Sequence, residues 1–248
     1  MNAMEAYYEN LKRVLDAAFG TQREKMETAA DWLCGATLNG QNIFAFGCSH
    51  AGLLALELYY RTGGMANINP IRAPGLHCDV DPATMTSRME RMAGYGAIIA
   101  DAHPIGEGDV VIVHSVSGRN AVPIDLALRC REKGAKVIAL TSLAAEAAAS
   151  SRHPSGRMLK DAADLTLDNC GCVGDGSVSI AGVPEKVGPT STAVGAAILN
   201  AVVARAVEKI ASAGAKAPVF CSANVDGGDE HNAAMMKEYK EHIFYMGR

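Results

Sequence analysis

Apolar and polar positions follow two rhythms along this chain. From residue 3 to residue 38 apolar side chains recur at helical spacing: Tyr7, Leu11, Val14, Leu15 and Ala18, then Met26, Ala29, Ala30 and Leu33. A break near Gly20 and Thr21 divides the pattern, which therefore predicts two helices, or one bent helix. From residue 42 onward short continuous apolar runs take over, each followed by a helical stretch. Residues 42–46, 67–71, 109–115, 136–141 and 164–167 read as strands. The run at 109–115 is unbroken and rich in valine and isoleucine, as expected of a strand covered on both faces at the centre of a parallel sheet. Helices are expected at about 50–62, ended by Gly63 and Gly64, at 122–133, ended by Gly134, and at 193–211. Strands alternating with helices specify an α/β fold: a three-layer, doubly wound sheet of about five parallel strands flanked by helices, with the N-terminal helices as an extension.

The connections are less regular. Residues 76–108 read as an irregular insert with a helical patch near 82–94, rich in Met and Arg. An Ala/Ser-rich segment fills 143–160. Small residues at 171–182 imply a loop or hairpin, and 184–192 reads as the entrance to the last long helix. The expected organisation is therefore helices at 1–39 packing on the domain or a dimer partner, a main domain at 40–212, and a tail at 213–248 available to complete an active site.

Composition narrows the classes. The chain has 248 residues, 49% of them apolar, enough to bury a sizeable core. Its net charge of −4 argues against a nucleic-acid partner or a polybasic membrane patch. The amphipathic start contains acids and does not read as a signal or transit peptide. The longest apolar segment, 193–207, is broken by Asn200 and Arg205 and is too short to span a bilayer. Seven scattered cysteines suit reduced thiols, so a cytoplasmic location is expected. Cys170 and Cys172 form a CxC without a second pair. His77, Cys78, Asp79 and Asp81 crowd too closely for a tetrahedral site. No metal and no organic cofactor is expected.

The chemistry gathers where strands end. Gly47-Cys48-Ser49-His50 joins the first strand to its helix, and Ser115-Val116-Ser117-Gly118-Arg119-Asn120 does the same after the third. A strand turning tightly into a helix leaves backbone N–H groups and a positive dipole end for an anion. Ser49 stands where an N-cap would be, and capping alone would explain one such serine. Two such turns, with Thr141 and Ser142 at the end of a further strand, put many hydroxyls on the sheet edge where ligands of these folds bind. The spacing from Gly47 to Gly52 is neither a dinucleotide fingerprint nor a P-loop, because Leu53 and Leu54 replace the Lys and Ser/Thr. Hydroxyls and amides with few Lys or Arg nearby suit one small phosphate monoester.

In that order, the Phe46–His50 segment, the Ser115–Asn120 turn and Leu140-Thr141-Ser142 resemble the SIS (sugar isomerase) phosphosugar-binding family over roughly residues 40–212. The whole chain also looks like the stand-alone bacterial SIS proteins. The resemblance implies a five-stranded parallel sheet of flavodoxin-type order and a homodimer with shared active sites. It implies that Ser49, His50, Ser115, Ser117 and Asn120 hold a sugar phosphate, with Val116 and Gly118 helping through their backbone, and Thr141 and Ser142 nearby. Asn120 stands where the family has Ser or Thr. The amphipathic helices of 3–38 and the apolar helix at 193–211 offer more apolar surface than one sheet covers, which also points to a dimer.

Three residues are candidates for proton transfer. Glu57 lies on the helix after the first turn, near where heptose-phosphate isomerases carry a glutamate. Glu185, ahead of Gly188 and Thr190, resembles the P-E-x-x-x-G-x-T stretch of the lyase branch. His231 belongs to a polar cluster, Asp226 to Asn232, in which Asp229 reads as a helix cap. The expected function is a sugar-phosphate aldose–ketose isomerase. A lyase (etherase) on amino-sugar phosphates and a non-catalytic phosphosugar sensor are the alternatives.

Overall fold

A computed structural model describes residues 1–246. Two helices open it, α1 (Ala3–Thr21) and α2 (Arg23–Leu38). The side chain of Asn2 accepts the N–H of Glu5, and the Glu5 carboxylate accepts the N–H of Asn2, so both orphan donors are satisfied at once. Strand β1 (Ile43–Gly47) runs through a 3-10 turn (Ser49–Gly52) into α3 (Leu53–Leu58) and on to β2 (Ile68–Pro70). Next come α4 (Thr84–Met89), α5 (Tyr95–Asp101), β3 (Val110–His114), α6 (Ala121–Glu132) and β4 (Lys136–Thr141). Then follow α7 (Leu143–Ala147), α8 (Leu159–Ala162), β5 (Leu165–Asp168), a hairpin of β6 (Gly176–Ile180) and β7 (Val183–Pro189), α9 (Ser191–Ser212) and α10 (Gly228–Glu238).

The first five strands form one parallel sheet in the order β2-β1-β3-β4-β5, as the alternating pattern implied. Side chains alternate across it because a strand has a period of two. Ile43, Ala45, Val110, Ile112, Ile138 and Leu140 face the layer of α2, α3 and α9. Phe44, Phe46, Val111, Val113, Val137 and Ala139 face α5, α6 and α8. Both faces are covered, which is why these strands read as unbroken apolar runs. The crossover from β1 runs one way along the sheet and the crossover from β3 the other. The switch point between them opens a crevice beyond the carboxyl ends of β1 and β3.

Several boundaries differ from the sequence expectation. The helix expected to reach residue 62 stops at Leu58, because Tyr59 turns extended and Tyr60 takes φ 43°. There the rings of Tyr59 and Tyr60 meet Tyr245 and Phe220 edge-on, and Gly63 donates to Phe220 O. Packing against a distant segment outweighs local helical propensity. The insert holds a second helix, α5, which starts after Gly94 in the left-handed region and lies so close to α6 that a Cβ on Gly96 would meet Val122 O at 2.1 Å. The stretch expected to lead into the long helix is strand β7, which pairs antiparallel with β6. At α10 the N-cap position belongs to Gly227, in the left-handed region, rather than to Asp229, which sits in the first turn. The tail lies along the open edge of β2: Phe244 stacks on Phe44 and donates to Asn69 Oδ1, and Asn69 Nδ2 donates to His242 O. Among the described residues no helix is long and apolar enough to cross a membrane.

Candidate functional site

A cavity of about 270 Å³ occupies the crevice at the switch point. Cys48, Ser49, His50 and Ala51 line it from the turn after β1, and Ser115, Val116, Ser117 and Asn120 from the turn after β3. Glu90, Ala145, Gly174 and Asp175 complete the wall.

The first turn is held from outside itself. Ser49 adopts φ 54°, and its N–H donates to Leu76 O at 2.7 Å. Ser49 is thus neither an N-cap nor the bearer of a free N–H, because the insert takes that donor and Cys48 stands at the cap position. Gly47 lets the turn fold back on itself, since a Cβ there would lie 2.4 Å from Ala51 O. Burial, with the nearby Glu90 carboxylate, pushes the Cys48 thiol well up, so Cys48 is a protonated packing group. Beneath the turn, His114 Nδ1 lies 3.0 Å from Ala51 O, so Nδ1 carries the proton and donates. Burial lowers the pKa of His114 to about 4 and keeps the ring neutral, and its Nε2 has no partner among the described residues.

The second turn is braced by the sheet. Ser115 N donates to Leu140 O, and Ser142 N donates to Val116 O. Gly118 takes φ 57° and lies against Glu146, where a Cβ would stand 2.0 Å from Glu146 Oε1. Thr141 Oγ1 is within reach of both Val116 O (3.2 Å) and Glu146 Oε1 (2.8 Å). Burial raises the Glu146 carboxyl, and a protonated Glu146 can itself donate to Thr141, which leaves the hydroxyl proton for Val116. Ser142 Oγ donates to Gly171 O and accepts from Ala145 N. Thr141 and Ser142 are fully buried and hold the turn from behind. The hydroxyls of Ser115 and Ser117 make no hydrogen bond to another described residue, and both residues line the cavity at the N-terminal end of α6.

The structure does not bring the three proton-transfer candidates to this cavity within one chain. Glu57 pairs with Arg61, accepts from Asn200 Nδ2 at 3.0 Å, and lines a shallow depression with Tyr59 to Thr62. Glu185 is exposed on β7. His231 lies in the first turn of α10, its Nε2 3.0 Å from Val219 O.

Two acids of the cavity were not singled out from the sequence. Glu90 follows α4, and burial raises its carboxyl although Arg91 and Arg152 pull the other way. Asp175 accepts from Thr190 N and Ser191 N and so caps α9 from the base of the hairpin. Nothing local marks Glu90, one acid in a Met- and Arg-rich insert. His114 was more visible, as the polar last residue of the clearest strand. Arginines are also nearer than expected: Arg152 Nη1 donates to Asn120 Oδ1 at 2.9 Å. Among the described residues no group of three or more His, Cys, Asp or Glu could hold a metal ion.

Comparison with known proteins agrees with this architecture. The SIS domain family model matches residues 6–142, more than half of the chain. A UPF0309 protein of Shouchella clausii is 44% identical over 99% of this chain and 100% of its own length. One of Oceanobacillus iheyensis is 42% identical over 99% and 100%. Among solved structures, a phosphoheptose isomerase from Francisella tularensis superposes with a TM-score of 0.54 at 17% identity, covering 84% of this chain and 100% of that one. The Vibrio vulnificus NanR protein complexed with ManNAc-6P gives 0.52 at 14%, covering 97% and 69%. At these identities the structural likeness concerns the fold.

Proposed function

We propose that this chain, which belongs to the SIS domain family, binds a phosphosugar in the cavity at the switch point and interconverts its aldose and ketose forms. One observation carries the reading: the unengaged hydroxyls of Ser115 and Ser117 and a carboxyl raised by burial, Glu90, share one cavity. The hydroxyls, Ser49, Asn120 and the N-terminal end of α6 suit a phosphate monoester. A carboxylate of raised basicity suits removal of a proton from the carbon beside a carbonyl. In this reading Glu90 takes that proton to leave an enediolate, the proton of the adjacent hydroxyl passes to the former carbonyl oxygen, and Glu90 returns its own proton to the neighbouring carbon. In the same reading His50, also in the wall, assists ring opening.

Residues 40–212 form the binding unit in this reading and 1–39 cover its α9 face. The tail 213–248, whose last two residues lie outside the described ones, flanks the β2 edge. Glu57, Glu185 and His231 take part only if a second copy presents them across a homodimer interface, and light scattering that reports a monomer removes them from the chemistry.

The test begins with a thermal-shift panel of hexose, heptose and amino-sugar phosphates, since a ligand that binds the native state raises its melting temperature. Wash-in of solvent deuterium is then followed with the selected sugar. Glu90→Gln should keep binding and lower exchange by roughly 10²- to 10⁴-fold. Unmutated protein that binds tightly without exchange would leave a non-catalytic binder. Release of an ether-linked acid from an amino-sugar phosphate would make the protein a lyase instead. No stabilisation by any phosphosugar would end the reading.

A further inference from the structure

Three arginines from separate segments lie near the cavity, Arg91 and Arg152 exposed and Arg119 half-buried, and none has a carboxylate within ion-pair distance among the described residues. Arg91 directly follows Glu90, and Arg119 directly precedes Asn120; both Glu90 and Asn120 line the cavity. Arg152 comes from the connection between α7 and α8, where its N–H donates to Arg119 O at 2.7 Å and its Nη1 to Asn120 Oδ1. This connection is fixed in place: His153 Nε2 lies 2.8 Å from Asp125 Oδ1, and Ser151 Oγ donates to Arg157 O. Arg119 Nε is buried without a partner among the described residues.

Charges of one sign repel, weakly where they are exposed to water as Arg91 and Arg152 are, and a bound anion relieves that repulsion. Arg152 is exposed; slight desolvation, with repulsion from Arg119 and Arg91, lowers its guanidinium pKa, and the Glu90 carboxyl pulls the other way. Glu90 is the one acid in the immediate group, and burial already pushes it toward its neutral form. Three guanidinium groups around one acid leave a local excess of positive charge on a chain whose net charge is −4. The hydroxyls of Ser115 and Ser117 and the end of α6 can satisfy one phosphate without these arginines, so the guanidinium groups are left for something else. Guanidinium forks match carboxylate and phosphate geometry.

We propose that the phosphosugar bound here carries a second anionic group, a carboxylate or a second phosphate, seated on Arg91, Arg119 and Arg152. This rests on the phosphosugar reading of the cavity and specifies its substrate class. The test is calorimetric titration of the full chain, at near-physiological salt, with fructose 6-phosphate, fructose 1,6-bisphosphate and 6-phosphogluconate. One of the two doubly anionic ligands should bind at least about tenfold more tightly than fructose 6-phosphate, the scale of one charged hydrogen-bonded contact. A preference for the bisphosphate identifies a second phosphate, and a preference for 6-phosphogluconate identifies a carboxylate.

Arg91→Gln should cut that preference several-fold and leave fructose 6-phosphate affinity within about threefold, because Arg91 lies outside the cavity wall. Arg152→Gln should cut it further. Equal affinity for all three ligands, or a preference that both variants keep, overturns the proposal while leaving the phosphosugar site standing. Failure of all three to bind overturns this proposal, and the phosphosugar reading falls with it only when the hexose, heptose and amino-sugar panel also gives no stabilisation.

Discussion

The two strand-to-helix turns that meet at the cavity look alike in sequence and are built differently. The turn after β1 depends on its surroundings: Ser49 sits in the left-handed region, its N–H is taken by Leu76 of the insert, and Ala51 O is held by His114. The short helix behind it, α3, ends at Leu58. The turn after β3 is part of the scaffold. A glycine takes its left-handed position, neighbouring strand β4 and Ser142 take its backbone groups, and it opens the 12-residue helix α6. One wall of the cavity is thus fixed by the sheet, and the other depends on a contact with the insert as well, which makes it the more adjustable of the two in principle. A rigid wall suits the anchoring of a phosphate, and an adjustable one suits the part of a ligand that varies.

Gly118→Ala tests the rigid wall most severely. The new Cβ would meet Glu146 Oε1 at 2.0 Å from a backbone at φ 57°, so the loss of stability should exceed about 3 kcal/mol in denaturant unfolding. A loss below about 1 kcal/mol would show that this turn is as adaptable as the other.

The buried histidine under the first turn predicts a pH dependence. His114 titrates near 4 when folded and near 6.5 when unfolded. Between those values the unfolded chain binds a proton that the folded one does not, so stability is full above about pH 6.5 and falls as pH drops toward 4. The loss should be on the order of 3 kcal/mol across that window. His114→Gln should flatten the profile there, and an unchanged profile would show that another group carries it.

Smaller effects are expected on binding. Ser117→Ala should weaken a sugar phosphate by about 2 kcal/mol and the unphosphorylated sugar much less, measured by titration calorimetry. Equal weakening of both would mean that the rigid turn is not a phosphate cradle. Ser49→Gly relieves a strained backbone position and should change stability by less than about 1 kcal/mol. A larger loss would place structural weight on the adjustable turn that its geometry does not imply.

Much of this was legible before any coordinates. The unbroken Val110–His114 run identified the central strand because a segment covered on both faces must be apolar throughout. The serines of both turns were visible because so many hydroxyls on one sheet edge exceed what helix capping needs. Glu90 was hidden, since its raised carboxyl comes from burial and its place in the cavity wall from a fold-back of the insert. The role of Thr141 and Ser142 behind the turn was equally hidden, because a buried hydroxyl and a ligand-facing one are spelled the same way.

What the sequence determined by itself is what short range can carry. Periodicity set the strands, the alternation with helices and the doubly wound class, and local glycine and serine chemistry set the two turns. Tertiary structure decided what depends on residues far apart in the chain. It ended α3 at Leu58 to seat Tyr59 and Tyr60 on the tail, and it turned 183–189 into a strand by pairing it with 176–180. It also brought Arg91, Arg119 and Arg152 to one place. Strand pairing, burial and charge proximity are properties of neighbours in space, and no local pattern states who those neighbours will be.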